Sequence, residues 1–320
     1  VTENTVLAKN VIGFLKGSKE AAGAIVLGAH YDHLGLGGSG SLASSKAPQI
    51  HNGADDNASG TAGVLELAHF FASNRTKHDL IFMAFSGEEM GLLGSDYYVN
   101  NPTYPLENVR SMINMDMIGR LNNRNLLIFG TGSANAWDTL ITRSNVDQLE
   151  IKTVPDGTGA SDHTSFYNKK VSVLHYFTDT HSDYHRPSDD TEFINAMGEK
   201  LILDHIVRVV QGIDTLSKTE FFFTEAPVTQ KRSVTMSGTT LGVLPDYGYR
   251  GNGMRITGTS EGRPGERAGL KEGDILLQLG SKKLKDIYDY MEALNQFKKG
   301  EKSKVVIQRD GKEMTLDVQF

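Results

Sequence analysis

The run Asp79-Leu80-Ile81-Phe82-Met83-Ala84-Phe85 is the most apolar strand-length segment of the chain, and two adjacent glutamates, Glu88 and Glu89, follow it within four residues. A run of this kind without polar alternation is a strand covered on both faces, and such strands belong to sheets that carry helices on each side. Its end therefore lies deep in the sheet. Two unpartnered carboxylates are costly there, and a bound cation relieves the cost.

Other segments fit the same frame. Ala24 to Gly28, Val109 to Asn114, Asn125 to Phe129 and Val171 to Phe177 read as strands, and Thr61 to Ala72 reads as a helix. From Thr191 to about Thr215 the apolar residues Leu201, Ile202, His205, Ile206, Val209 and Val210 recur at helical spacing, which predicts a long amphipathic helix. This alternation predicts an α/β fold with a mixed, mostly parallel sheet flanked by helices. The pattern breaks at Phe221-Phe222-Phe223-Thr224-Glu225-Ala226-Pro227, and a strand-rich, glycine-punctuated segment begins near Ser233. The 320 residues are thus read as a domain at 1–218, a linker at 219–232 and a small β-rich domain at 233–320.

Composition narrows the chemistry. With no cysteine there is no disulfide framework, no thiolate metal site and no cysteine nucleophile. Residues 219–320 hold 16 Lys and Arg against 14 Asp and Glu, and residues 1–218 hold 17 against 25, so the front part is −8 and the back part +2. Neither part carries the basic stripe of a nucleic-acid partner, and no apolar run approaches the roughly 18 residues of a membrane span. The chain opens at Val1 with no charged and then apolar leader. Gly35-Leu36-Gly37-Gly38-Ser39-Gly40 matches the dinucleotide fingerprint in form only, because no helix pattern follows it. It is read as a flexible loop beside a site.

Five segments place carboxylates or histidines at or just beyond predicted strand ends, where open α/β sheets bind ligands. They are His30-Tyr31-Asp32, Asp55-Asp56-Asn57 after Gly53, Glu88-Glu89, Asp116 between Met115 and Met117, and Tyr184-His185. If the first strand continues, His30 and Asp32 share a face, and the aspartate can hold the imidazole in the tautomer that a metal requires. Taken singly, Asp55 or Asp56 serves equally well as a helix N-cap, and either histidine as a hydrogen-bonded structural group. Together, two histidines and several carboxylates suit zinc, with one carboxylate shared between two ions.

In that order these motifs, with Ser86-Gly87-Glu88-Glu89-Met90-Gly91-Leu92-Leu93-Gly94-Ser95 and Asn114-Met115-Asp116-Met117-Ile118-Gly119 in full, resemble the co-catalytic di-zinc aminopeptidases, a family that includes bacterial leucyl aminopeptidases and glutamate carboxypeptidases. The resemblance covers about residues 8–215. It implies two zinc ions bridged by Asp55, with His30 and Asp116 completing one site and Glu89 and His185 the other. It makes Glu88 the general base for a metal-bridging hydroxide and Asp32 the residue that orients His30. It also implies a cis peptide between Asp55 and Asp56, peptide substrates with a free N-terminus, and a secreted or periplasmic enzyme. Family members often carry an additional domain ahead of the segment that begins Asn10-Val11-Ile12-Gly13. Ser161-Asp162-His163-Thr164-Ser165-Phe166 is similar to the family's substrate-side segment, which puts Asp162 and His163 near the specificity pocket. The tyrosine that several members place just before it is missing from Asp156-Gly157-Thr158-Gly159-Ala160, leaving Thr158, His163 or His181 as oxyanion donors.

The back part resembles a bacterial protease-associated PDZ domain, with Leu241, Gly242 and Val243 like its carboxylate-binding loop and Pro264 to Leu276 like its core helix, turn and strand. A helix from Ile287 to Phe297 and a hairpin from Lys304 to Phe320, turned at Asp310-Gly311, complete it. The resemblance implies capture of a C-terminal peptide. Three rivals remain: a carboxypeptidase or dipeptidase on the same metals, a one-zinc glutaminyl cyclase, and a non-catalytic peptide-binding scaffold.

Overall fold

Alternate residues of the central strands are apolar on both sides, and the chain buries both. A computed structural model describes residues 7–18, 23–38, 40–43, 45, 47–217, 220–226, 240–246, 249, 251–259, 262–285, 287–294, 296–298 and 300–320. A seven-stranded sheet is built from β1 (Val11–Leu15), β2 (Ala24–His30), β3 (Asp79–Phe85), β4 (Val109–Met115), β5 (Asn125–Phe129), β6 (Glu150–Val154) and β7 (Ser172–Phe177), in the order β1-β3-β2-β4-β7-β5-β6. Four of its pairings are parallel, and only β1 on β3 and β5 on β7 are antiparallel. The predicted mixed α/β sheet is therefore the observed one.

Among the described residues, five helices cover it: α1 (Gly60–Ser73), α2 (Leu93–Asn100), α3 (Trp137–Ser144), α4 (His163–Tyr167) and α5 (Ala196–Thr215). On one face Ile25, Leu27, Leu80, Phe82 and Ile113 pack with Leu67 and Phe71 of α1, Trp137 of α3 and Ile202, Ile206 and Val209 of α5. On the other, Val26, Ile81, Met83 and Met112 pack with Tyr98 and Val99 of α2 and Phe166 and Tyr167 of α4. Each such side chain, fully buried, contributes about 1.5–3 kcal/mol. The two-residue period of the strands distributes them between the faces.

β1 and β6 lie at the sheet margins, and neither stands out in the sequence. Edge strands need cover on fewer sides, so Val11–Leu15 is mostly exposed and Glu150–Val154 carries charge. The long helix begins later than its apolar spacing predicts. Thr191–Phe193 forms a 3-10 turn, and Asn195 then caps α5, its side chain accepting from the Gly198 amide at 2.9 Å.

The chain divides into two units, and the division is not the linear one expected at residues 219–232. The first unit takes residues from 1–33, 52–178 and 190–229, and the second from 34–51, 179–189 and 230–320. Positions 219 and 227–232 of the expected linker lie outside the described residues. The second unit has a sheet ordered β13-β12-β10-β9-β8, from β8 (Val243–Pro245), β9 (Met254–Thr259), β10 (Ile275–Leu279), β12 (Lys302–Arg309) and β13 (Lys312–Gln319), with β11 (Lys282–Lys283) beside β10. The helices α6 (Pro264–Arg267) and α7 (Ile287–Leu294) complete it. The predicted hairpin turns at Asp310 and Gly311, whose φ values of 51° and 76° are the left-handed pair that a two-residue turn requires.

Asp214 at the end of α5 ties that helix to the entry of β3. Its carboxylate accepts from the Lys77 amide at 2.8 Å and the His78 amide at 2.9 Å and lies 2.8 Å from His78 Nδ1. Burial acts to raise its pKa, but these donors outweigh burial and hold it below the usual carboxylate range. A depressed folded pKa contributes stability that is present above the unfolded value of about 3.9 and is lost as pH falls through the folded one. Asp214→Ala is expected to cost about 1–3 kcal/mol at neutral pH, with the difference from wild type closing below about pH 4. Urea unfolding at the two pH values, followed by the single tryptophan, Trp137, checks this.

Candidate metal centre

Parallel register brings the strand exits level. His30, the last residue of β2, pairs with Phe85, the last of β3, while Gly28 pairs with Asn114 near the end of β4. The loops that follow carry Asp32, His33, Glu88, Glu89 and Asp116. Asp56 comes from the turn Ala54–Ser59 ahead of α1. That turn opens at Gly53 with φ 62°, and a Cβ there would lie 2.4 Å from the Asp56 carbonyl oxygen and 2.6 Å from His33 Cγ. Only glycine fits both the left-handed backbone and the close approach.

Two donor groups result. His30, Asp56 and Asp116 offer ligand atoms within 4.8 Å of one another, and so do His33, Asp56 and Glu89. His30 Nε2 lies 3.4 Å from Asp56 Oδ1 and 3.4 Å from Asp116 Oδ1. His33 Nδ1 lies 2.7 Å from Glu89 Oε1 and 3.8 Å from Asp56 Oδ2. Asp56 serves both groups, one oxygen to each.

The shared carboxylate is therefore Asp56, where Asp55 was expected. Asp55 points the other way, and its Oδ1 accepts from the Gly119 amide at 2.7 Å and from Ser59 Oγ at 3.0 Å, bracing the exit of β4. Neighbouring residues of a tight turn project in different directions, and adjacency in sequence cannot rank them. The cis peptide lies between Asp56 and Asn57 rather than between Asp55 and Asp56.

Asp32 also acts differently from expectation. His30 Nδ1 faces the Asp32 main-chain carbonyl at 3.1 Å, so it carries the hydrogen and leaves the Nε2 lone pair to the donor group. The Asp32 carboxylate, 3.8 Å from that nitrogen, accepts instead from the amides of Glu88 at 3.1 Å and Glu89 at 3.4 Å. It thereby fixes the turn that presents both glutamates. His33 was not among the expected ligands. The strand-alternation argument selects His30 and Asp32 and passes over a residue beyond the strand end, yet the His-x-x-His spacing was there to be read.

Asp162 and His163 are completely buried, so neither lines a substrate surface as expected. His163 stacks flat on His175 at 4.3 Å, and burial pushes its pKa down to about 3. His175 in turn meets Asn114, whose amide donates to Ser161 Oγ, and Ser161 donates to Asp116 Oδ2 at 2.7 Å. This segment thus holds a donor carboxylate from behind. The Thr158 hydroxyl is engaged with Asp156 at 2.8 Å. His181 and His185 belong to the second unit, where His181 Nδ1 accepts from the Asp183 amide at 3.3 Å.

Crowded acids leave an electrostatic signature. Burial drives the Glu88 carboxyl well above its usual range, His30 opposes this, and Asp116, Asp162 and Glu89 add to it. Burial raises Asp162 to about 7. For His30 burial acts downward, but the carboxylates of Asp116 and Glu88 prevail and raise it well above its ordinary value. Imidazole and carboxylate donors around one shared carboxylate fit zinc in both groups.

A mixed α/β sheet with two such groups at its strand exits has the build of a metallohydrolase. Residues 10–210 match the model of Peptidase family M28, and residues 233–320 match that of a PDZ domain. Leucine aminopeptidase 2 of Trichophyton rubrum is 26% identical over 247 residues, 66% of this chain and 47% of that protein. A zinc aminopeptidase from Bacillus subtilis, BSAP, is similar in structure with a TM-score of 0.54 at 24% identity, over 67% of this chain and 52% of that one. A glutaminyl cyclase from Porphyromonas gingivalis gives 0.55 at 17% identity, over 64% and 77%. The chain spans less than half the length of the Trichophyton protein. It belongs to Peptidase family M28.

The raised pKa values carry a sign. A metal-free folded chain binds more protons here than the unfolded one, so its stability falls as pH rises through the folded pKa values. Above about pH 6.5, where the histidines that burial keeps neutral (His163, His175 and His205) no longer gain protons on unfolding, melting of the metal-free protein is expected to drop toward pH 8, by roughly 2–4 °C for each kcal/mol lost. Added zinc should raise the melting temperature more at the higher pH, where it displaces fewer protons. Calorimetric scans with and without zinc at both pH values test this, and a larger zinc effect at the lower pH would contradict it.

Proposed function

We propose that this chain is the catalytic part of a zinc-dependent aminopeptidase that removes N-terminal residues from peptides. One observation carries the reading: a single carboxylate, Asp56, is common to two donor groups, and Glu88, in neither group, lies 4.0 Å from His30 Nε2. His30, Asp56 and Asp116 would hold one ion. Asp56 and Glu89 would hold the other, with His33 beside them in the same unit and His185 as the ligand that the family resemblance assigns. Zinc, when bound, supplies Lewis acidity and brings a coordinated water toward a pKa of about 7.

The chain's own part is proton handling and orientation. Glu88 takes a proton from the attacking water as its oxygen joins the scissile carbonyl carbon, then gives that proton to the leaving nitrogen as the C–N bond breaks. The Asp32 carboxylate keeps Glu88 in register through its main-chain amide. Ser161 keeps Asp116 in place. Two donor groups favour this reading over a one-zinc glutaminyl cyclase, since the fold is common to both. Requirement for a free N-terminus separates it from a carboxypeptidase.

The C-terminal domain is read as a peptide-binding module. Among the described residues β8 ends the order of its sheet, and it begins at Val243, the last residue of the Leu241-Gly242-Val243 loop, where Gly242 has φ 67°. A strand added to that edge would bring its terminal carboxylate to the amides of the loop.

A panel of aminoacyl-p-nitroanilides should be cleaved, with cleavage lost on chelation and on N-acetylation of the substrate. Glu88→Ala should keep its zinc while turnover falls about 10²–10⁴-fold, and Glu89→Ala should lose zinc. Zinc content and kcat measured on both variants decide the roles. No chelator-sensitive release from any substrate of the panel would end the aminopeptidase reading.

A further inference from the structure

The Leu241-Gly242-Val243 loop has an arginine pressed against it. A Cβ at Gly242 would lie 2.3 Å from Arg263 Cβ and 3.3 Å from its Cδ, so the stem of this side chain runs along the loop glycine. Arg263 is the N-cap residue of α6, and its Nη2 donates to the main-chain carbonyls of Ser41 at 2.5 Å and Ala43 at 3.2 Å. A second arginine borders the same short segment. The Leu42 amide donates to the carbonyl of His185, and the next residue is Arg186, whose own amide donates to the Asp183 carbonyl at 2.9 Å. Residues 34–51, 179–189 and 230–320 form one unit, so both arginines belong to the unit that contains β8 and the loop.

Neither charge is compensated. Both side chains are half-buried, and the Nε of each is buried with no hydrogen-bond acceptor. Among the described residues no carboxylate lies within ion-pair distance of either guanidinium. The acids close to them in sequence are engaged elsewhere: Glu266 accepts from the Gly262 amide at 2.5 Å, and Asp183 from Ser188 Oγ at 2.8 Å. Burial and the neighbouring charges of Arg186 and Arg267 hold the Arg263 guanidinium below its usual pKa. Main-chain carbonyls take its hydrogens but leave its charge, and a partly buried charge without a counter-ion is costly. Guanidiniums take carboxylates through paired, parallel bonds, and two of them along one segment suit a ligand with more than one carboxylate.

We propose that Arg186 and Arg263 form an anion site beside the Leu241-Gly242-Val243 loop, and that the peptide taken by this domain carries acidic side chains next to its C-terminal carboxylate. This rests on the peptide-binding reading of the domain and adds the class of peptide. An extended ligand added to β8 brings its last residues to the loop, and those are the residues that Arg263 meets. The terminal carboxylate matches one positive charge. A glutamate or aspartate just before it matches the second.

The test uses the full chain and decapeptides with fluorescein on the N-terminus, which also keeps them from a site that needs a free amine. One ends in Glu-Glu-Val with a free carboxylate, a second ends in Gln-Gln-Val, and a third has the two glutamates moved to its N-terminal half. Fluorescence anisotropy should show the first binding about 10-fold tighter than the other two, the scale of one charged hydrogen-bonded contact. Added salt should shrink the difference. Arg263→Met and Arg186→Met should each lose most of the preference, and Arg263→Lys should keep part of it. Should Arg263→Met lose its cooperative unfolding transition, Arg186→Met and Arg263→Lys carry the test. Equal affinity of wild type for the first two peptides, or a preference that survives in the folded methionine variants, overturns the proposal. If the peptides then still bind and amidation of their C-termini abolishes binding, the peptide-binding reading stands without it; if no peptide binds, both fall.

Discussion

β2, β3 and β4 pair in parallel with both faces covered, and this pairing sets what can happen at their ends. Ile25 and Leu27 enter one apolar layer while Ala24 and Val26 enter the other, so no face of β2 is left to water. A polar residue has a place only where such a strand stops. Parallel register makes His30 stop level with Phe85, and the loops that follow place Asp32, Glu88 and Glu89 within hydrogen-bonding reach of one another. The same burial that stabilises the sheet makes the charges at its rim expensive. Folding of this sheet and crowding of these acids are thus one event.

The crowding has a defined chemical outcome. Burial, with Asp116 and Asp162 nearby, raises the affinity of Glu88 for a proton, and beside Asp116 and Glu88 the His30 ring is drawn toward its charged form. A divalent cation satisfies the same field with fewer bound protons and couples metal to stability. It also gives a role to the hydrogen bonds that brace the loops carrying the donors. Asp55 holds the Gly119 amide, Asn57 bridges Met115 and Gly60, and Ser161 holds Asp116. A donor that could swing away would relieve the repulsion by leaving, and these bonds prevent it.

Sequence patterns reach as far as strands buried on two faces. The apolar runs locate β2, β3, β4, β5 and β7, and their carboxyl ends locate His30, Glu88, Glu89 and Asp116. The edge strand β6 escapes detection because one-sided cover leaves no continuous apolar run, and the short apolar run of β1 is broken by Gly13. Within the site, the limit is direction. Asp55 and Asp56 are equivalent in composition and differ only in where a turn aims them, so the resemblance alone chose the wrong neighbour. His33 lies beyond the end of the strand, where two-residue alternation no longer applies. Asp162 and His163 have the polarity of pocket residues, but they sit in a dry layer behind Asp116, a distinction that depends on packing between α4 and β7.

The sequence boundary near residue 219 separates two apolar patterns but does not follow the packing. Gly35 to Ser45 reads as a flexible loop because glycine and serine dominate it and its two leucines, Leu36 and Leu42, form no apolar period. What orders it is polar and comes from more than 200 residues later, an arginine whose two anchors are main-chain carbonyls. Such contacts leave no periodicity to detect: a carbonyl is present at every position, and Arg263 in isolation reads as a solvated charge. The second unit takes in residues 34–51 and 179–189 together with 230–320, so a cut at residue 219 would divide one packed unit rather than separate two.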